Sequence, residues 1–296
     1  MSLFTGSGVA IVTPFDNGQI NYVELERLIN WHVENQTDAL IICGTTGESA
    51  TLSNEEKKAL ISFAVVKTAG RIPVIAGTGC NNTADTVELS VYAEEVGADG
   101  LLVVTPYYNK CTQKGLIAHY TAIADAVNIP LILYNVPGRT AVNIAPETVA
   151  ALSGHKNIVA IKEASGDIGQ IAKIVRLCPK SFGIYSGNDD QIIPILSLGG
   201  IGVISVVANI LPKETHEIVS LYMDGHIQDA LALQLNLLNF INALFIEVNP
   251  IPVKTAMNLM GMNAGELRLP LTEMEEHTKK VLISEMRTLG LLPINH

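Results

Sequence analysis

A lysine at the end of a short apolar run is the first residue of this sequence that could do covalent chemistry. The segment NIVAIKEASGD (157–167) places four apolar residues before Lys162 and breaks the run at Ser165 and Gly166. A lysine amine attacks a carbonyl carbon only when neutral, and at an ordinary pKa of about 10.4 under about one molecule in a thousand is neutral at pH 7. Burial at the rim of an apolar core lowers a lysine pKa. Lys162 is therefore either an imine-forming nucleophile or merely the charged end of a buried strand.

Hydroxyl side chains follow other apolar runs and could move protons for such a nucleophile. Tyr134 could act as a general acid or base towards a carbinolamine, although an amphipathic tyrosine also caps an apolar core without chemistry. The pair Tyr107 and Tyr108 is equally compatible with catalysis and with an aromatic patch at an interface. Thr45 and Thr46, in GTTGES, are also compatible with a strand-end turn that has no chemical role. Residue types alone leave these alternatives open.

Two further cations complete the candidate set. Arg139 lies shortly after the apolar run that ends at Tyr134. Lys254, in NPIPVKTAM, competes with Lys162 for the role of nucleophile, but it lies in a predicted helix away from the strands, where an ordinary helical lysine is expected. A lysine, tyrosines, threonines and an arginine together suit covalent amine chemistry on a carbonyl.

Motifs for metals, phosphates and dinucleotides are missing from the sequence. There is no H-E-x-x-H motif, no G-x-x-x-x-G-K-[ST] motif and no cluster of His, Asp and Glu after the apolar runs. Gly6-Ser7-Gly8 precedes an apolar run, whereas a dinucleotide-binding glycine motif follows a strand. Asp189 and Asp190 would repel a phosphate after the seventh run. We therefore expect neither a metal ion nor a cofactor.

The composition is that of a compact globular protein. Of 296 residues, 48% are hydrophobic and 16% are charged, and the net charge of -10 argues against a nucleic-acid or anionic-membrane partner. No run approaches about 18 consecutive apolar residues, and the start MSLFTGSG lacks the regions of a signal peptide. The four cysteines form no C-x-x-C pair, so we expect reduced thiols in the cytoplasm.

Eight short apolar runs recur along the chain. They start near residues 8, 39, 72, 100, 130, 158, 183 and 202, at spacings of roughly 19 to 33 residues. Such spacing is typical of strand–helix units, and eight of them favour a closed (β/α)8 barrel, the TIM barrel of the α/β class, over an open doubly wound sheet. Active sites of this fold lie at the C-terminal ends of the strands, which is where the candidate residues fall.

Helical signals separate the apolar runs. Ser53 and Glu56 match a capping box before an amphipathic segment. A second helix is predicted to start at Thr83 and to end at Gly97, because a glycine is common after the last helical turn.

The last part of the chain contains no comparable strand. Three helices are predicted there, at 231–245, 252–260 and 274–289. The third is expected to begin through Thr272 and Glu275, which are spaced as a capping box. We therefore predict two parts, a catalytic barrel and a C-terminal helical extension, over residues 1–224 and 225–296.

Six motifs occur in order over essentially the whole chain: GTTGES (44–49), VTPYYN (104–109), LYNVPGRT (133–140), IKEASGD (161–167), YSGND (185–189) and NPIPVK (249–254). Together they resemble the dihydrodipicolinate synthase family, one of the pyruvate-dependent class I aldolases that also include N-acetylneuraminate lyase. The resemblance implies a condensation of pyruvate with L-aspartate 4-semialdehyde, the first committed step towards diaminopimelate and lysine. It also implies a homotetramer that needs no cofactor.

The resemblance assigns roles to the candidate residues. Lys162 matches the lysine that forms a Schiff base with pyruvate. Arg139 matches the residue that holds the carboxylate of the second substrate, and a guanidinium can do so with two parallel hydrogen bonds. Three hydroxyls match the family's proton relay, of which the third reaches into a neighbouring subunit: Tyr134, Thr46 and Tyr108. Four positions match those that hold the pyruvate carboxylate in the family: Thr45, Thr46, and the backbone at Gly187 and Ile204. Asn249, from the extension, matches a residue that shapes the site.

Two small departures and one alternative activity accompany the resemblance. Gly138 and Ala141 stand where the family commonly has serine and glycine, and both are small. N-acetylneuraminate lyase or a keto-deoxy-sugar aldolase would share the lysine and the tyrosine. Arg139 separates these activities, because a small carboxylated aldehyde requires a cation at the mouth of the site, whereas a polyol requires neutral hydrogen-bonding groups.

A cleft between two subunits holds the feedback inhibitor L-lysine in sensitive relatives. Four positions of this chain match that cleft: Ser49, Ala50, Asn81 and Tyr107. Three others differ, because Asn54 and Lys57 replace histidines and Asp85 replaces a glutamate. The charged Lys57 would repel the ammonium of the effector, so the resemblance implies weak inhibition by L-lysine or none.

Overall fold

A closed barrel of eight parallel strands forms the centre of the computed structural model, which describes residues 3–293. The strands are β1 (Gly6–Ala10), β2 (Ala39–Ile42), β3 (Val74–Gly77), β4 (Gly100–Val104), β5 (Leu131–Asn135), β6 (Ile158–Glu163), β7 (Gly183–Ser186) and β8 (Gly202–Ser205). Each strand pairs with its neighbours along the chain, and β8 pairs with β1 to close the barrel. The predicted fold class is confirmed.

Side chains that point inwards fill the barrel. Ile41, Ile75 and Ile132 belong to one buried apolar cluster, which also includes Tyr185. The ring of Phe4, just before β1, stacks on Tyr185 with the ring centroids 4.4 Å apart and covers the N-terminal end of the barrel. Alternate strand residues point outwards and pack under the helices, so each strand reads as a continuous apolar run. A packed interior leaves the C-terminal ends of the strands as the place for a site.

Helices between the strands form the outer ring. They are α1 (Tyr22–Glu34), α2 (Asn54–Thr68), α3 (Thr83–Glu95), α4 (Gln113–Ala126), α5 (Pro137–Thr140), α6 (Pro146–Leu152), α7 (Ile168–Leu177), α8 (Ile192–Ser197) and α9 (Pro212–Met223). Two helices, α5 and α6, join β5 to β6, and the short α5 brings Arg139 close to the end of β5.

Local signals predicted two helix ends correctly. Ser53 caps α2, and Glu56 Oε2 accepts a hydrogen bond of 2.9 Å from the backbone N of Ser53. Gly97 follows α3 with a φ of +92°, a conformation that glycine adopts without strain. A two-stranded hairpin, Phe15–Asp16 with Gln19–Ile20, has no signal in the sequence because strands of two residues are too short to show alternation.

Three helices follow the barrel, as predicted: α10 (Ile227–Ala243), α11 (Ile251–Leu259) and α12 (Glu276–Thr288). The predicted cap at Thr272 is wrong, because α12 begins at Glu276 and its N-cap Glu275 makes no side-chain hydrogen bond. Apolar residues of the three helices, such as Leu237, Met257 and Leu282, belong to the same buried cluster as the outer faces of the strands. The extension therefore packs on the barrel, and the division at residue 224 stays a prediction. Within residues 3–293, no helix is both long enough and apolar enough to cross a membrane.

Candidate active site

Lys162 and Tyr134 lie side by side at the C-terminal end of the barrel. Parallel pairing of β5 with β6 places Tyr134 opposite Lys162, and the two residues are only 7% and 6% exposed. The Lys162 Nζ lies 4.4 Å from the centroid of the Tyr134 ring. The lysine is therefore buried beside the phenol, in the position that the sequence interpretation requires.

One cavity brings together seven of the residues that the sequence singled out: Lys162, Tyr134, Thr45, Thr46, Arg139, Gly187 and Asn249. Apolar side chains complete its wall, among them Ile41, Leu102 and Val136. Two other candidates do not line it. Ile204 is buried in the interior of the barrel, and Tyr108 is 90% exposed.

The turn after β2 carries Thr45 and Thr46. It is closed by a hydrogen bond of 3.0 Å from the backbone N of Glu48 to the Thr45 O. Thr46 is buried, and its Oγ1 accepts a hydrogen bond of 3.0 Å from Asn249 Nδ2. Because the amide nitrogen can only donate, the Thr46 hydroxyl keeps its own hydrogen for a group in the cavity.

Arg139 stands at the mouth of the cavity, on α5. Its side chain is exposed, and Nη2 donates to the backbone O of Asn249 over 3.3 Å. The Oδ1 atom of Asn249 is buried and has no hydrogen-bond partner among the described residues. The mouth therefore offers a guanidinium and an unpaired amide oxygen, which suit a ligand that carries both a carboxylate and a hydrogen-bond donor.

Gly187 leaves the space that Lys162 occupies. A Cβ at this position would lie 2.6 Å from Ala164 Cβ and 3.1 Å from Lys162 Cε. Carbon atoms ordinarily approach to about 3.5–4.0 Å. Glycine therefore lets the end of β7 approach the lysine more closely than any other residue would.

Two buried carboxylates hold the strand ends around the lysine. Asp189 Oδ2 accepts hydrogen bonds from the backbone N of Val206 and Val207, at 3.0 and 3.1 Å, and so ties the end of β7 to the end of β8. Glu163 Oε1 accepts from the backbone N of Ser165 at 2.8 Å. Burial raises the pKa of both carboxyl groups. Glu163 and Asp189 stand inside the motifs IKEASGD and YSGND, but the motifs do not state what the two carboxylates contact.

Lys254 is a second buried lysine, and it lies outside this cavity. It is on α11, in the predicted helix, but it is only 1% exposed and its Nζ forms an ion pair of 2.8 Å with Glu48 Oε1. Nζ also donates to the backbone O of Thr13 at 2.9 Å and to that of Glu266. Burial lowers the pKa of Lys254, and Glu48 opposes that effect. The expectation of an ordinary helical lysine is therefore wrong, because this amine is buried and fully engaged.

A second cleft adjoins the mouth of the cavity, and the two share Thr45, Val136, Arg139 and Asn249. Four of the seven residues predicted for an effector cleft line it: Ser49, Ala50, Lys57 and Tyr107. The other three lie near the starts of α2 and α3 and do not line it: Asn54, Asn81 and Asp85. The structure thus places Lys57 at the cleft beside the candidate active site.

The cavity combines an amine, a phenol, a buried hydroxyl and a guanidinium. Among the residues that the structure describes, no group of three or more His, Cys, Asp and Glu is arranged to hold a metal ion. The side chains present suit amine catalysis on a carbonyl compound that also carries a carboxylate.

Known proteins resemble the chain over almost its full length. The sequence model of the Dihydrodipicolinate synthetase family matches residues 3–288. A relative from Thermoanaerobacter sp. named 4-hydroxy-tetrahydrodipicolinate synthase is 60% identical over 293 residues, which cover 99% of this chain and 99% of the relative. The crystal structure of dihydrodipicolinate synthase (DHDPS) from Aquifex aeolicus has a TM-score of 0.96 and 47% identity, and covers 97% of this chain and 99% of that one. A crystal structure of DHDPS from Cyanidioschyzon merolae with lysine bound has a TM-score of 0.96 and 40% identity, and covers 99% of this chain and 100% of that one. The chain therefore belongs to the dihydrodipicolinate synthetase family.

Proposed function

We propose that the chain is a lyase that condenses pyruvate with L-aspartate 4-semialdehyde, giving 4-hydroxy-tetrahydrodipicolinate and water, in the biosynthesis of diaminopimelate and lysine. The observation that carries the proposal is a buried Lys162 beside Tyr134, in a cavity with Arg139 at its mouth. These side chains would supply the nucleophile, the proton carrier and the carboxylate anchor of the reaction. The proposal includes no cofactor, because a cationic imine on the lysine itself withdraws electrons from the reacting carbon.

The first half of the proposed reaction forms an enamine on Lys162. The neutral Nζ attacks the ketone carbon of pyruvate, and the carbinolamine loses water after its hydroxyl is protonated. Tyr134, whose ring lies 4.4 Å from Nζ, would carry protons in this step, with the Thr46 hydroxyl as the next member of the relay. The cationic imine makes the methyl protons acidic, and loss of one of them gives the enamine. Four positions would hold the pyruvate carboxylate: Thr45, Thr46, and the backbone at Gly187 and Ile204.

The second half joins the two substrates. The enamine carbon attacks the aldehyde carbon of L-aspartate 4-semialdehyde, whose carboxylate Arg139 would hold at the mouth of the cavity. The amine of that substrate then attacks the former ketone carbon, the ring closes, and Lys162 leaves as a free amine. Asn249 would shape this part of the site, because its backbone O contacts Arg139 and its Nδ2 contacts Thr46.

Tyr108 supports an assembly of several copies. It is 90% exposed and has a φ of +73°, so the chain holds this tyrosine away from its own cavity in a conformation that is costly for a residue with a Cβ. We assign it to the proton relay of a neighbouring copy, within a homotetramer. Exposed apolar residues near the second cleft, Leu269 and Val248, are suitable for such an interface. Analytical ultracentrifugation gives the assembly state of the wild type and of Tyr108→Phe, and the turnover of the same two proteins tests the role in proton transfer.

The free thiols support a cytoplasmic location. Cys43, Cys80, Cys111 and Cys178 are all unpaired in the part of the chain that the structure describes. Free cysteines persist in a reducing compartment. Cell fractionation followed by immunodetection tests this part of the proposal.

The cleft that adjoins the mouth contains four of the candidate effector residues. The DHDPS from Cyanidioschyzon merolae, to which the chain is 40% identical, has a crystal structure with lysine bound. In this chain Lys57, whose side chain carries an ammonium, lines the cleft. It would repel the ammonium of L-lysine, so we propose that L-lysine inhibits weakly or not at all.

A coupled assay with pyruvate and L-aspartate 4-semialdehyde tests the function directly. Pyruvate with sodium borohydride should label Lys162 irreversibly, and peptide mass mapping identifies the labelled residue. Lys162→Ala should stay folded and lose both labelling and turnover. A label on Lys254, or no label, contradicts the mechanism. Turnover of N-acetylneuraminate instead of the semialdehyde would favour the alternative activity of an N-acetylneuraminate lyase. The cation of Arg139 at the mouth of the cavity disfavours that alternative.

A further inference from the structure

The turn that carries Thr45 and Thr46 ends in a buried glutamate with an unfavourable backbone conformation. Glu48 has a φ of +56°, in the left-handed region, and its side chain is fully shielded from solvent. Residues with a Cβ keep this conformation only where their surroundings enforce it, and such positions concentrate at functional sites. The backbone N of Glu48 donates to the Thr45 O, so whatever holds the glutamate also shapes the turn.

The glutamate is held by the C-terminal extension. Its Oε1 accepts a hydrogen bond of 2.8 Å from Lys254 Nζ, and its Oε2 accepts one of 3.0 Å from the backbone N of Arg268. Both carboxylate oxygens are therefore bound by segments that follow the barrel in the chain. Glu48 cannot turn away without breaking two hydrogen bonds to a charged acceptor, which are stronger than bonds between neutral groups.

Lys254 also connects the turn to the loop after β1. Its Nζ donates to the Thr13 O at 2.9 Å, and Thr13 Oγ1 donates to the Gly47 O at 2.7 Å. The ring of Phe15 covers this circuit, with its centroid 4.6 Å from Nζ. Lys254, Glu48 and Thr13 are all buried, so water cannot replace a lost partner without a rearrangement of the turn.

We propose that Lys254 and Glu48 are positioning residues, and that their ion pair holds the 45–48 turn so that the Thr46 hydroxyl stays directed at the cavity of Lys162. This inference rests on the proposed function, because it gives the pair a role in proton transfer at that site. The C-terminal extension then contributes to the rate without touching either substrate. The competing explanation is that the pair only fastens the extension to the barrel.

The energetics of a buried ion pair indicates which variants are expected to stay folded. A buried ion pair contributes little net stability, because desolvation of the two charges offsets their attraction. Removal of one partner leaves an unpaired buried charge and destabilises the protein, whereas replacement of both partners by uncharged residues of similar size is often neutral. A variant without either charge should therefore stay folded and still lose the geometry of the turn.

A double-mutant cycle between Lys254 and Thr46 tests the inference. Lys254→Met removes the ammonium, Thr46→Val removes the hydroxyl, and the combined variant removes both. The KM for each substrate, kcat and the melting temperature are measured for these three and for the wild-type full chain. Lys280→Met, at an exposed lysine of α12, is the matched control.

Lys254→Met is expected to lower kcat about 100-fold in the wild-type background, since displacement of a catalytic group by about 1 Å costs that much. In the Thr46→Val background the same change should lower kcat less than about 3-fold, because the group through which the pair acts is already gone. If the pair only fastens the extension to the barrel, Lys254→Met should lower kcat by the same factor in both backgrounds.

Each outcome supports or overturns the inference. Equal factors in both backgrounds, with an active wild type, overturn the inference and leave the proposed function intact. An inactive wild type overturns both. Where Lys254→Met does not fold, the double variant Glu48→Gln/Lys254→Met replaces it, because neither member of the pair is then charged. Failure of both variants to fold assigns the pair to folding and overturns its positioning role.

Discussion

A single methyl group added at Gly187 is expected to impair imine formation. The new Cβ would lie 2.6 Å from Ala164 Cβ, 3.0 Å from the Glu163 O and 3.1 Å from Lys162 Cε. Carbon atoms touch comfortably at about 3.5–4.0 Å, so the neighbours must give way by roughly 0.5–1 Å. Overpacking of this kind costs about 1–3 kcal/mol of stability, and a displacement of about 1 Å at a reacting group costs about 100-fold in rate. We therefore expect Gly187→Ala to stay folded and to form the imine about 100-fold more slowly.

Trapping with borohydride measures this effect directly. Wild type and Gly187→Ala are incubated with pyruvate and sodium borohydride, and intact mass gives the labelled fraction against time. Gly138→Ala is the matched control, because a Cβ there would meet no atom within 4 Å. A folded Gly187→Ala variant that is labelled at the wild-type rate would refute the claim that this glycine reserves the space of the lysine.

Three further results are expected. Arg139→Ala should reduce the use of L-aspartate 4-semialdehyde about 30- to 150-fold, which corresponds to about 2–3 kcal/mol for a charge-assisted pair. The same variant should still be labelled by pyruvate and borohydride at the wild-type rate. Equal losses in both assays would give Arg139 a structural role. Titration of L-lysine should give half-inhibition above about one millimolar, because Lys57 repels the effector. The double variant Asn54→His/Lys57→His should be about tenfold more sensitive to L-lysine. Half-inhibition of the wild type below about one millimolar contradicts the charge argument. Burial lowers the pKa of His32 from 6.5 to about 3, so the unfolded chain binds a proton below pH 6.5 that the folded chain does not. The free energy of unfolding should therefore fall by about 1.4 kcal/mol per pH unit between pH 6.5 and about pH 3, and urea titrations of His32→Gln should lack this share.

Burial patterns explain why the barrel could be predicted from the sequence. Strands covered on both faces read as continuous apolar runs, and eight such runs separated by helical segments specify closure. The start of α12 could not be predicted in the same way. Thr272 and Glu275 have the spacing of a capping box, but the helix begins only at Glu276, and Glu275 occupies the N-cap. A capping motif states which side chains could pair, and tertiary contacts decide whether the backbone turns there.

Strand order likewise predicted that two candidate residues are neighbours. Tyr134 and Lys162 are each the last residue but one of consecutive strands, and parallel pairing places them opposite each other. The setting of Lys254 had no such signal, because its partner Glu48 is 206 residues away in the chain. Contacts between side chains that are far apart in the chain leave no periodic pattern in the sequence. Glu48 itself stands inside GTTGES, so the motif marked the turn without stating what the carboxylate contacts.

The contrast between the two buried lysines shows that burial alone does not make a nucleophile. Lys254 Nζ meets a carboxylate and two carbonyl oxygens, and all three are groups that stabilise an ammonium ion. Lys162 Nζ faces the ring of Tyr134 and an open cavity, and within residues 3–293 no carboxylate forms an ion pair with it. An amine that attacks a carbonyl must give up its proton and must have room for the carbon that it attacks. The Nζ of Lys162 has that room in its cavity, whereas a carboxylate and two carbonyl oxygens surround the Nζ of Lys254 and hold it in place.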